Sequence, residues 1–100
     1  MKNAIFIEDY NLDNQSLAAN STDIFVVQVP IIDGYSRGMF NTSVYNATSG
    51  GAGSSNCTIY QQLISGDTVR VAVKNNGSSS VKIRVNVRME YINDNLVASR

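Results

Sequence analysis

Eleven consecutive residues near the C-terminal end alternate without a break. Val81, Ile83, Val85, Val87, Met89 and Tyr91 are apolar, and Lys82, Arg84, Asn86, Arg88 and Glu90 between them are polar. Alternation of this kind places successive side chains on opposite faces of a strand, and no helical phase reproduces it. The segment is expected to be a β-strand with one buried and one wetted face. Burying its six apolar side chains contributes on the order of 10 kcal/mol, as an upper bound. Any fold of this chain has to lay a second apolar surface over that face.

Residues Thr68–Lys74 repeat the rhythm, with Val69, Val71 and Val73 on one side and Arg70, Ala72 and Lys74 on the other. The link Asn75–Ser80 has turn chemistry. Read as a hairpin, the pair obeys a parity rule. A two-residue Asn76-Gly77 turn would send the two apolar sets to opposite faces, so a loop of three or five residues with Gly77 at positive φ is expected. Upstream, Asp23–Val29 carries apolar residues on both faces and ends at Pro30, which suggests a central strand covered twice. Met39–Ala47 reads as a strand packing through Phe40, Val44 and Tyr45, and Cys57–Ile64 as another that turns at Gly66-Asp67. Ala4–Glu8 is a short strand, and Ser16–Ala19 is a strand or one helical turn. Thr48–Asn56 is a Gly/Ser-rich loop.

These elements predict an all-β fold. The expected form is a two-sheet antiparallel sandwich of six to eight short strands, jelly-roll or immunoglobulin-like. At 100 residues the chain makes one domain. Residues 1–15 form an N-terminal arm or edge strand, 16–92 the sandwich and 93–100 a tail.

Composition narrows the chemistry. With no His and a single Cys, the chain can build neither a Cys/His metal site, an internal disulfide nor a Ser-His or Cys-His nucleophile pair. Eight basic and eight acidic residues give zero net charge, which argues against nucleic-acid binding. Six Asn-x-Ser/Thr triplets, at Asn14, Asn20, Asn41, Asn46, Asn56 and Asn76, follow from a chain with 12 Asn, 12 Ser and 5 Thr. The apolar patch Ala4–Ile7 is too short for a signal peptide, and no run approaches a membrane helix. Synthesis in the cytoplasm is expected, with no membrane partner, no cofactor and no metal. Gly50-Gly51-Ala52-Gly53 lacks the Lys-Ser/Thr of a phosphate loop and reads as a spacer. Cys57 reads as a buried structural thiol. Asp33–Gly38 reads as an exposed turn. No carboxylate pair is set up for acid–base work, so the chain is expected not to be an enzyme.

Charge is unevenly spread. Residues 1–67 hold six acids and two bases, a net of −4, and residues 68–100 hold six bases and two acids, a net of +4. On the expected hairpin, Arg70, Lys74, Lys82, Arg84 and Arg88 share the face away from the core. Like charges opposite one another in a sheet are destabilising. They are either splayed into solvent, met by Glu8, Asp9 and Asp13 of the same or a neighbouring subunit, or used to bind phosphate or an anionic glycan. The segment Lys2–Asp13 is the candidate arm for a partner, and its Ile5, Phe6 and Ile7 could add a strand to another sheet.

Three segments in order carry a resemblance. They are Ser16–Thr22 leading into Phe25-Val26-Val27-Gln28-Val29-Pro30, then Gly66-Asp67-Thr68-Val69-Arg70-Val71-Ala72-Val73-Lys74-Asn75-Asn76-Gly77-Ser78, then the alternating strand to Tyr91. This order is similar to small β-sandwich structural proteins of tailed bacteriophages, namely capsid decoration (cement) proteins and head or tail fibre subunits. It covers roughly residues 16–92 and departs at Ile31-Ile32-Asp33-Gly34, where such proteins carry Gly-Asp. The resemblance implies a non-enzymatic virion-surface protein, made in the host cytoplasm. It would be homotrimeric and bind the major capsid protein or another virion component. The alternative is a glycan- or receptor-binding fibre tip, with Tyr35, Arg37, Tyr45 and Tyr60 as loop contacts.

Overall fold

A computed structural model describes residues 4–46 and 56–95. Six strands follow one another: β1 (Ile5–Leu17), β2 (Thr22–Gln28), β3 (Tyr35–Asn46), β4 (Cys57–Ser65), β5 (Thr68–Asn75) and β6 (Val81–Asn93). They form two three-stranded sheets. Sheet I has the order β1-β6-β3 and sheet II the order β2-β5-β4, with every pair antiparallel. The fold is a two-sheet antiparallel sandwich, as its alternating strands predict. The β4–β5 hairpin joins neighbours, while the other connections pass from one sheet to the other. That winding is of the jelly-roll type.

The core forms where the central strands of the two sheets face each other. In β6, Ile83, Val85, Val87, Met89 and Tyr91 are fully buried, and in β5 so are Val69, Val71 and Val73. Leu17, Phe25, Val27 and Val29 complete the buried layer. The two valine-rich strands therefore meet face to face and not edge to edge. The expected β5–β6 hairpin does not form. The segment 76–80 is a crossover between sheets, so the parity rule for a hairpin loop does not apply, and Gly77 has no positive φ. Among the described residues the left-handed glycines are Gly34 and Gly66. Gly66, at φ 57°, opens the two-residue turn that leads from Ser65 to its partner Thr68, the position at which a hairpin turn needs glycine.

A buried amide holds the crossover in place. Asn75 is completely buried, and its side-chain nitrogen donates to the Leu17 carbonyl (3.2 Å) and the Ser79 carbonyl (2.8 Å). Its oxygen accepts the Gly77 N–H at 2.8 Å. The turn after β1 is tied to the same point, since Asn20 N–H donates to the Gly77 carbonyl. An aromatic cluster closes another part of the sandwich. Phe6 stacks on Tyr91 with ring centroids 5.0 Å apart and meets Tyr35 edge-on at 4.9 Å. The Tyr91 hydroxyl donates to the Pro30 carbonyl and lies 3.0 Å from the Tyr10 hydroxyl.

Several local expectations are corrected. The N-terminal strand does not stop at Glu8 but runs to Leu17, across a bulge between Leu12 and Gln15 where Asn14 takes φ 59°. The bulge shifts the inward set from Phe6, Tyr10 and Leu12 to Gln15 and Leu17, which hides the alternation. Strand β2 is an edge strand and not a central one, and its Ile24 and Val26 are exposed. Strand β3 begins at Tyr35, so Asp33-Gly34 alone make the turn and Tyr35–Gly38 belong to the strand. Tyr45 faces outward and does not pack. Cys57 is half-buried. Ala47, the spacer Thr48–Ser55 with Gly50-Gly51-Ala52-Gly53, Lys2 and residues 96–100 lie outside the described residues.

Candidate binding surfaces

The two sheets turn outer faces of different character to the surroundings. On sheet I, β1 pairs with β6 from Ile5↔Ile92 to Leu17↔Val81. The candidate arm is thus an integral edge strand of the sandwich. Phe6 points inward onto Tyr91, while Ile5 and Ile7 are exposed. The register sets Asp9 opposite Arg88, and the pair is bidentate: Nε to Oδ1 at 3.0 Å and Nη2 to Oδ2 at 3.3 Å. This contact holds the Asp9 carboxyl below its ordinary value. Asp13 pairs with Arg84 at 2.5 Å. Asn86, nearly buried between these pairs, donates to Asn11 Oδ1 (2.9 Å) and to Asp9 Oδ1 (3.4 Å). The outer face of sheet I thus carries a ladder of polar groups that satisfy one another within the chain. Glu8 is exposed and makes no ion pair among the described residues.

Beside this ladder lies a shallow depression of about 270 Å³, lined by Ile7, Met39, Phe40, Asn41, Arg88 and Glu90. Gly38 lies against Glu90, one of the depression's lining residues. A Cβ there would come within 2.5 Å of Glu90 Oε1 and 3.0 Å of Ile92 Cδ1.

The outer face of sheet II is different. Its register places Ile24 beside Ala72, Val26 beside Arg70, and Leu63 on the other side of Arg70. Ile24 is 59% exposed, Leu63 52% and Val26 39%. Ile24 and Leu63, with Gln61, Arg70 and Ala72, line a depression of about 240 Å³. By strand alternation this face also presents Thr22, Gln28, Thr58 and Lys74, and no carboxylate. Arg70 has no carboxylate partner among the described residues.

The five bases expected to converge do not. Arg70 and Lys74 belong to sheet II, and Lys82, Arg84 and Arg88 to sheet I, so they lie on opposite broad faces of the molecule. The reason is the crossover at 76–80, which replaces the hairpin that would have set them side by side. Two of the five are neutralised by Asp9 and Asp13 of the same chain. The tyrosine contacts also separate. Tyr35 packs on Phe6 at the start of β3, and Tyr45 lies on the outer face near its end. Arg37 reaches the Val29 carbonyl (3.4 Å), and Tyr60 sits in sheet II. They do not form one surface.

Sequence reasoning missed the Ile24–Leu63 patch. The signal was there, because β2 reads as apolar on both sides. That pattern suggests intramolecular cover on both faces, which the described residues do not supply. Cys57 is buried enough to push its thiol above the ordinary value, which keeps it protonated. Among the described residues no three His, Cys, Asp or Glu side chains gather as a metal site, and no helix is long and apolar enough to cross a membrane. Comparison with protein-family models, with curated proteins and with solved structures finds no match to this chain.

Proposed function

We propose that this protein is a non-enzymatic structural subunit of a bacteriophage virion, a capsid decoration or head-fibre protein that adheres through the outer face of sheet II. The observation that carries the reading is the exposed cluster of Ile24, Val26 and Leu63 around Arg70 on a rigid sheet. Exposed apolar patches of this kind on a folded domain mark contact surfaces. An arginine among apolar side chains is a frequent anchor of such surfaces. The partner that fits is a protein surface with apolar groups around a carboxylate placed to meet Arg70. The class of partner, a virion component, comes from the resemblance of residues 16–92 to phage sandwich proteins.

The mechanism is adhesion. The sandwich holds the patch in a fixed shape, so little ordering is required when it docks. Several copies on one shell raise the effective concentration of each contact. The virion surface is then the site of action.

Co-sedimentation with phage capsids stripped of this subunit tests the reading. The wild-type chain is expected to pellet with capsids. Ile24→Asp and Arg70→Glu are expected to stay in the supernatant with unchanged circular dichroism. Capsid binding that survives both substitutions, or no binding by the wild type, overturns the proposal.

A further inference from the structure

We propose that β4 is a self-association edge. Two copies pair antiparallel along Gln61–Ser65 about a two-fold axis and join their second sheets into one continuous six-stranded sheet.

The proposal comes from comparing the four sheet edges. An edge strand offers unpaired backbone groups, and soluble proteins guard such edges with charges, bulges or proline. Edge β1 carries Glu8, Asp9 and Asp13 and is broken by a bulge between Leu12 and Gln15. Edge β2 is short and ends near Pro30, and the Asp23 carboxylate already occupies the Ile24 N–H at 2.8 Å. Edge β3 contains Arg37 and a bulge before Phe40, where the Met39 N–H turns toward Glu90 Oε1 at 3.5 Å. Edge β4 reads Cys-Thr-Ile-Tyr-Gln-Gln-Leu-Ile-Ser and has no charged residue and no proline. Its one irregularity is the register shift at Tyr60, which leaves Gln61–Ser65 in regular register with β5. Five residues are a normal strand length for pairing.

A second copy suits this edge. Antiparallel pairing about a two-fold axis is self-complementary. Centred on Leu63, it sets residue 63 opposite itself, 62 opposite 64 and 61 opposite 65, with no like charges in contact. Arg70 is the register partner of Leu63 on the far side. The two Arg70 side chains of a dimer are therefore three strand spacings apart, about 14 Å at the usual spacing. That exceeds the screening length of about 8 Å at physiological salt. Leu63 is half-exposed, and Ile64, although register places it on the core side, is 36% exposed. Pairing would cover both, and it would place two docking patches side by side on one continuous face. The geometry is two-fold, unlike the trimer that the family resemblance implies. The inference does not depend on what the patch binds.

Sedimentation equilibrium of the full chain without capsids tests it. The wild type is expected at twice the 10.9 kDa of one chain. Leu63→Lys and Leu63→Glu are each expected to be monomeric with unchanged circular dichroism, and an equimolar mixture of the two to recover the dimer. Gln62→Lys mixed with Ile64→Glu gives an independent complementary pair on the other face of the strand. A monomeric or trimeric wild type, a dimer that persists in both Leu63 variants, or mixtures that stay monomeric overturns the proposal. Because no capsid is present, the outcome is separate from that of the docking test.

Discussion

The Tyr91 hydroxyl donates to the Pro30 carbonyl at 2.6 Å, linking the central strand of sheet I to the chain just beyond the edge strand of sheet II. The same oxygen is 3.0 Å from the Tyr10 hydroxyl, which is then the donor in that bond. Tyr91→Phe keeps the ring stacked on Phe6 and removes both bonds. The expected loss is about 1–2 kcal/mol. Thermal melts check it, with a fall of about 4–8 °C per kcal/mol for a domain of this size.

The same residue sets the alkaline limit. Burial, first, and the bond to Tyr10 raise the Tyr91 phenol above its ordinary value of 10.0. Above that pH the unfolded chain releases the proton while the folded chain retains it, so stability falls as pH rises. Urea titrations at rising alkaline pH are expected to show this decline in the wild type and a shallower one in Tyr91→Phe.

At the acid end Asp9 acts in the opposite sense. The hydrogen bonds from Arg88 hold its folded value below 3.8. Its contribution is present above the unfolded value and disappears as pH falls through the folded one. Acid denaturation of Arg88→Ala is expected to depend less steeply on pH in that window than the wild type does.

Asn75 holds three backbone groups with one buried amide. Asn75→Ala leaves the Leu17 and Ser79 carbonyls and the Gly77 N–H without that partner. The expected loss is about 2–4 kcal/mol, at the upper end for a single substitution. Asn75→Asp should do no better, because a carboxylate cannot donate to the two carbonyls. Equilibrium urea unfolding measures both.

Thr42 offers the reverse case. It faces the core from β3 opposite Val87, and its buried hydroxyl has no hydrogen-bond partner among the described residues. Thr42→Val removes an uncompensated polar group and keeps the shape. A gain of up to about 1 kcal/mol in urea unfolding is expected.

Much of the fold was legible because the apolar residues of β5 and β6 alternate, and periodicity selects Val69, Val71, Val73, Ile83, Val85, Val87, Met89 and Tyr91, which are buried, and Val81, which is only partly so. Strand pairing was less legible. Alternation fixes which face of a strand is apolar, but Val73 and Val81 can share a core as sheet neighbours or as facing layers. The choice is made by Asn75, whose buried amide shapes a crossover at residues that look like a hairpin turn. The polar ladder was half legible. Glu8, Asp9 and Asp13 stood out as partners for the bases, while the pairing of Asp9 with Arg88 and Asp13 with Arg84 depends on β1 continuing past a bulge that the alternation conceals. The patch on sheet II escaped because Ile24 and Val26 look identical in sequence whether a neighbouring layer or a partner covers them.

Hydroxyl-radical footprinting of the free and capsid-bound protein tests the docking face most directly. Ile24 and Val26 on sheet II should lose reactivity on binding, while Met39, 79% exposed, and Tyr45 on sheet I keep theirs. Protection of Met39 and Tyr45 with Ile24 and Val26 unchanged would contradict it.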